Sequence, residues 1–134
     1  MAGIKDIQIL LKEMKPVLDK IDYVFSTIEC FNIEKDIIFL DPIATFRESE
    51  GMTVVVTRET ADKQRLPYDA VFNKITLEVH SSLEAVGLTA AISTALASKD
   101  ISANVIAGYY HDHIFVPKDK ADFALNILKR RCLA

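Results

Sequence analysis

The chain has no tryptophan, two cysteines, four glycines and four prolines in 134 residues, and each scarcity excludes something. Aromatic residues make up only 8% of it, so aliphatic side chains must fill the core. Cys30 and Cys132 lie far apart, with no CxxC or Cys/His spacing around either. That pattern argues for two unpaired thiols in a reducing compartment, with a single disulfide as the alternative. No stretch approaches the ~18 apolar residues of a membrane span. Charges at positions 5, 6, 12, 13 and 15 leave the N-terminus without the apolar core of a signal peptide. A cytoplasmic protein is expected.

Charge of one sign is also lacking. Sixteen Lys and Arg stand against nineteen Asp and Glu, a net charge of −3, and no basic stripe marks a nucleic-acid surface. GxSxG, HExxH, P-loop and GxGxxG patterns are absent, and no nucleophile has an identifiable base. No catalytic residue, cofactor or metal is therefore expected, and the chain is not read as an enzyme.

What is present is a half-apolar sequence, enough for one ordinary domain or two small lobes sharing a core. Asp6 can cap a helix whose Ile7, Leu10, Leu11 and Met14 follow the i, i+3, i+4, i+7 pattern and which ends near Pro16. Residues 23–28 (YVFSTI) read as a strand. Between 29 and 51 the pattern blurs: residues 37–40 (IIFL) suggest a short buried strand, Asp41-Pro42 a turn, and residues 43–51 show neither period. Glu48 and Glu50, near Arg47, read as a solvated connection. Residues 53–56 are a strand, and Thr57 caps a short helix to about Gln64 that Leu66-Pro67 ends.

The stretch 75–117, ITLEVHSSLEAVGLTAAISTALASKDISANVIAGYYHDHIFVP, is cleaner. It reads as strand, Gly-containing turn, helix, strand, tight hairpin and strand, the start of a ferredoxin-like α+β layer. Its helix, from Leu88, should bury Leu88, Ile92, Ala95 and Leu96. Residues 101–110 form the next strand, His111-Asp112-His113 the turn, and 114–116 the return. A last helix over 118–130 carries Ala121, Ala124, Leu125 and Leu128 on one side.

A weak repeat links the halves. Residues 55–62 (VVTRETAD) match 115–122 (FVPKDKAD) at an offset of 60. Upstream, helix 6–15 and strand 21–28 parallel helix 88–98 and strand 101–110 at an offset near 80. The lobes are placed at 1–72 and 73–134. Strand 75–80 is assigned to opening the second, since a crossover into the following helix needs a parallel partner strand.

Three candidates carry chemistry. In SSLEAVGL (81–88), helical N–H groups after Gly87 lack intrahelical partners, and the helix dipole favours an anion such as a carboxylate. The bland alternative is local capping, since Ser81 and Glu84 match an S-x-x-E box. Asn104 is out of place in a strand of small and apolar residues, so its amide needs a partner, either a ligand or neighbouring backbone. His111 and His113 flank Asp112 with ligand types that suit zinc, but a turn spoils the shared-face geometry and a structural hairpin is the preferred reading. Tyr109-Tyr110 and Tyr23/Phe25 could stack bases, yet the RNP-type pattern is missing.

The 75–117 stretch resembles the ACT domain, in the branch of aspartate kinases and arginine-sensor proteins, through its strand–loop–VG–helix opening, its ISANVI strand and its hairpin ending in VP. DPIATFRESEGMTVVVTRE and YVFSTI further resemble a small bacterial tandem-ACT family whose members are mostly uncharacterised. The likeness covers about 17–128. It implies a ferredoxin-like (ACT) two-layer sandwich of two lobes in tandem, and a non-enzymatic regulatory protein that binds a free amino acid. It also implies a homodimer or higher homo-oligomer. The implied ligand-binding positions are Ser81, Ser82, Leu83, Val86, Gly87 and Leu88 in the loop, and Asn104, Val105 and Ile106 in the strand. A structural or partner-binding oligomerisation module without a ligand is the alternative.

Overall fold

A computed structural model describes residues 3, 6–29, 31–80 and 86–133. By internal contacts the chain divides into two compact units, Met1–Lys20 with Asn73–Ala134, and Ile21–Phe72. The 13-residue strand β1 (Pro16–Ile28) contributes its first five residues to the former and the rest to the latter.

The larger unit begins with helix α1 (Ile7–Glu13), started by the Asp6 carboxylate, which accepts from the N–H groups of Gln8 at 2.9 Å and Ile9 at 3.2 Å. Pro16 does not end this helix directly. It opens β1, where its missing N–H is tolerated at a strand's first residue. The unit continues with β4 (Phe72–Leu77), helix α3 (Leu88–Ala97), β5 (Asn104–Ala107), β6 (Asp112–Pro117) and helix α4 (Ala121–Leu133), the last entered through a 3-10 turn, Lys118–Lys120. Its strand order is β1-β4-β6-β5. β6 therefore lies between β4 and β5, so the crossover through α3 skips one strand, as a ferredoxin-like lobe requires. The fourth strand of this lobe comes from the N-terminal part of β1, tied to the end of β4 by the Glu78 N–H donating to the Lys15 carbonyl at 2.9 Å.

Apolar periodicity explains the core. Leu88, Ile92, Ala95 and Leu96 are all buried, as are Ala121, Ala124 and Leu128, while Leu125 is partly buried against them. Leu10 and Met14 join the same cluster, with Ile7 and Leu11 at its margin. A seven-residue helix is marginal in isolation, so this apolar face is what holds α1 in place.

The smaller unit contains β2 (Ala44–Arg47), β3 (Met52–Thr57) and helix α2 (Arg58–Gln64), in the order β2-β3-β1. Both pairings are antiparallel, with Val24 opposite Val56 and Thr45 opposite Val54. Thr57 caps α2, its hydroxyl oxygen accepting from the Thr60 N–H at 3.2 Å. Val24, Ile37, Leu40, Met52, Val54, Val56 and Ala61 form the core.

Three sequence expectations are corrected. Residues 37–40 are not a strand: a π-helical turn, Ile33–Ile37, runs into a 3-10 turn, Ile38–Leu40. Ile37 and Leu40 are buried while Ile38 and Phe39 are exposed, the i, i+3 spacing of a helical turn rather than strand alternation. Secondly, the hairpin turn is 108–111, closed by the Gly108 N–H donating to the His111 carbonyl at 2.9 Å, and Asp112 and His113 belong to β6. Thirdly, the repeat runs at one offset. β2 and β3 recur 60 residues later as β5 and β6, and α2 begins 60 residues before the Lys118–Lys120 turn. The helical turns before β2 occupy the place of α3 before β5, so the offset near 80 and its use of helix 6–15 do not hold.

Candidate functional site

In the larger unit, residues 78–87 connect β4 to α3. Ser81, Ser82 and Leu83 lie outside the described residues, as does Glu84 of the capping box. Val86 is 81% exposed. Gly87 is the N-cap of α3 at φ +100, a left-handed conformation that favours glycine, and among the described residues no side chain caps the helix there. The first intrahelical bond runs from the Ala91 N–H to the Gly87 carbonyl at 2.9 Å, leaving the preceding N–H groups for another acceptor. The helix begins at Leu88, seven residues after Ser81, with Gly87 as its N-cap. A Cβ built on Gly87 would sit 3.7 Å from the Ile7 side chain, which is ordinary contact, so backbone conformation rather than space calls for glycine.

The three strand positions divide between two faces. Val105 lies opposite Ile114 and lines a hollow with Leu77, Leu88 and Ile92 that is too small to admit a water. Asn104 and Ile106 lie opposite Phe115 and His113 on the other face, and Asn104 is exposed. The fold therefore brings Leu88 and Val105 together, but as packing: Leu88 is 4% exposed. Val86 and Gly87 stand at the helix entrance.

His80 joins a ring cluster that sequence reasoning did not assemble. His80 stands 5.9 Å from Tyr109 and 5.2 Å from Tyr110, whose rings meet edge-on at 4.9 Å. Both tyrosines are exposed. The sequence signal for it was YYH at 109–111, in the hairpin that follows β5. His113 points elsewhere, its Nδ1 2.9 Å from the Thr76 hydroxyl. Burial foremost, then the Lys74 and His111 charges, lowers its pKa below the ordinary imidazole value, with Asp112 opposing. Among the described residues, no three metal-ligating side chains come together, and no helix is long and apolar enough to cross a membrane.

Comparison with known proteins places this architecture. Two ACT-domain family models match, one over residues 2–73 and one over 71–130. No curated protein matches. Among solved structures, a Vibrio cholerae protein of unknown function, described as a possible transport protein, is 53% identical over 98% of this chain and 99% of its own, with a TM-score of 0.85. An Agrobacterium tumefaciens protein shares 12% identity over 90% of each chain at a TM-score of 0.71. The regulatory subunit of aspartate kinase from Thermus thermophilus shares 13% over 90% of this chain and 99% of its own, at 0.61, a likeness of fold. The chain belongs to the ACT-domain family and carries two such domains in tandem.

Proposed function

We propose that the chain is a non-enzymatic, cytoplasmic regulatory module that binds a free amino acid and works as a homodimer or higher homo-oligomer. The ACT lobes are taken as 1–72 and 73–134. The observation that carries the reading is the entrance to α3: Gly87 in a left-handed conformation, no side-chain cap among the described residues, and an exposed Val86 beside it. N–H groups without intrahelical partners at the positive end of a ten-residue helix suit a carboxylate. Ser81, Ser82, Leu83, Val86, Gly87 and Leu88 would hold the ligand's head, Leu88 through its backbone. Asn104 and Ile106 would meet it from a second copy, with Val105 supporting them from the core.

A thermal-shift screen of all twenty amino acids at millimolar concentration tests this. At least one should raise the Tm by several degrees, and Gly87→Ala should abolish that shift. A flat response across the set counts against amino-acid sensing.

The water-tight hollow between Leu88 and Val105 favours a second reading, in which this region is packing and oligomerisation is itself the function. Under it, light scattering gives a stable oligomer that no amino acid alters.

A further inference from the structure

The smaller unit holds a separate cleft of about 510 Å³, within the range of small-molecule sites. Phe25 and Tyr68 supply its aromatic walls, Thr27 and Thr53 its hydroxyls, and Glu48 and Asp69 its charge. Among the described residues, no Lys or Arg lines it. Among the described residues, neither carboxylate has a basic partner. The nearby Arg58 is paired with Asp62 at 3.9 Å and lies against the Tyr68 hydroxyl instead. The surroundings reinforce the sign. Residues 21–72 hold ten Asp and Glu against five Lys and Arg, while the rest of the chain holds nine against eleven. A cleft in an acidic unit concentrates cations.

The walls are fixed before any ligand arrives. Ser26, 7% exposed, donates its hydroxyl to the Pro67 carbonyl and ties segment 67–69 to β1. The Tyr68 hydroxyl donates to Asp62 at 2.6 Å, and Phe25 packs edge-on against Phe72 at 5.5 Å. Thr53 donates to one oxygen of Glu48, leaving the other and both of Asp69 to accept.

We propose that this cleft binds an aliphatic amine or diamine, its ammonium group on Glu48 and Asp69 and its hydrocarbon stem along Phe25 and Tyr68. The lining offers carboxylates and hydroxyls to a strong donor, and ring faces to a cation and its methylenes. A ligand carboxylate would meet two negative charges and no positive one, so an amino acid is disfavoured. A hard divalent cation wants six or more converging oxygens at short range, which an open cleft with two carboxylates does not offer. The site lies in the other unit from the α3 entrance and does not depend on that reading.

The test is titration of the 15N-labelled full chain with 1,4-diaminobutane and n-butylamine at fixed ionic strength, with 1-butanol, sodium butyrate and magnesium chloride as controls. The amines should move the amide signals of Thr27, Thr53, Tyr68 and Asp69. Asp69→Asn, at an exposed position, should weaken binding about tenfold, the scale of one lost charged hydrogen bond. Glu48→Gln should do the same, with an unchanged Tm confirming its fold. Three outcomes overturn the proposal: no shifts with amines, equal shifts in the Asp69→Asn variant, or the same shifts with magnesium or butanol.

Discussion

Thr76 on β4 and His113 on β6 meet across neighbouring strands, hydroxyl to Nδ1 at 2.9 Å. The contact links β4 to β6, and the imidazole is partly buried. Burial favours the neutral ring, and the Lys74 and His111 charges act in the same direction.

The sign of the pH dependence follows. Between the lowered folded pKa and the ordinary value near 6.5, the unfolded chain binds more protons than the folded one. Stability contributed by neutral His113 is therefore full above about 6.5 and is lost as pH falls through the folded value. Urea titrations from pH 7.5 to 5 should show a declining midpoint, and His113→Gln should flatten that slope. An unchanged slope in the variant would assign the titration to other groups.

Leu10 is fully buried in the cluster formed with α3 and α4, whereas Ile9 on the same helix is 47% exposed. Leu10→Ala should cost about 2–5 kcal/mol, the range for a large buried aliphatic side chain. Ile9→Ala should stay within about 0.5 kcal/mol. Hydrogen exchange would add location: Leu10→Ala should loosen amides of α3 and α4. Exchange confined to α1 would show that the helix is not part of that core.

Why some of this was legible and some was not is a matter of physics. The helix from Leu88 carried four apolar residues at helical spacing, and all four are buried; strand 53–56 was continuous and β-branched, and β3 is there. Residues 37–40 were four consecutive apolar residues, which periodicity cannot divide between a buried strand and a helical turn. The Asn32 side chain, accepting from the Lys35 N–H at 3.1 Å, decides for the turn, and Asp41 ends it at φ +49 before Pro42. β2 was hidden because it is a four-residue strand at the end of its sheet, so three of its four side chains are exposed and no burial pattern is imposed on it. The α3 entrance was legible through Gly87. The ring cluster and the acidic cleft were not, because their residues meet only through tertiary structure.

Gly51 is a second position where glycine is required, here by close approach. A Cβ there would sit 2.6 Å from the Ile28 carbonyl oxygen and 3.0 Å from the Glu29 Cα, both backbone atoms that cannot swing aside. Gly51→Ala should force the turn after β2 away from the end of β1, at a cost of roughly 1–3 kcal/mol. Denaturant titration measures the loss, and amide shifts at Met52 and Ile28, paired across the two strands, should report it locally. A neutral substitution would mean the turn relaxes freely.

Cys132 offers the last test. Its thiol donates to the Met14 carbonyl at 2.9 Å and contacts the Leu128 carbonyl at 3.4 Å, joining α4 to the residue that follows α1. Burial raises its pKa above the ordinary thiol value, so the reactive thiolate is scarce at neutral pH. In a Cys30→Ser background, modification by a thiol reagent at pH 7.5 should run well below the rate of a free peptide cysteine and should follow opening of the helix contact. Adding Leu10→Ala should then speed it, since losing the α1 packing exposes the same contact. Rapid labelling in the Cys30→Ser protein, unaffected by Leu10→Ala, would show that α4 ends free of α1.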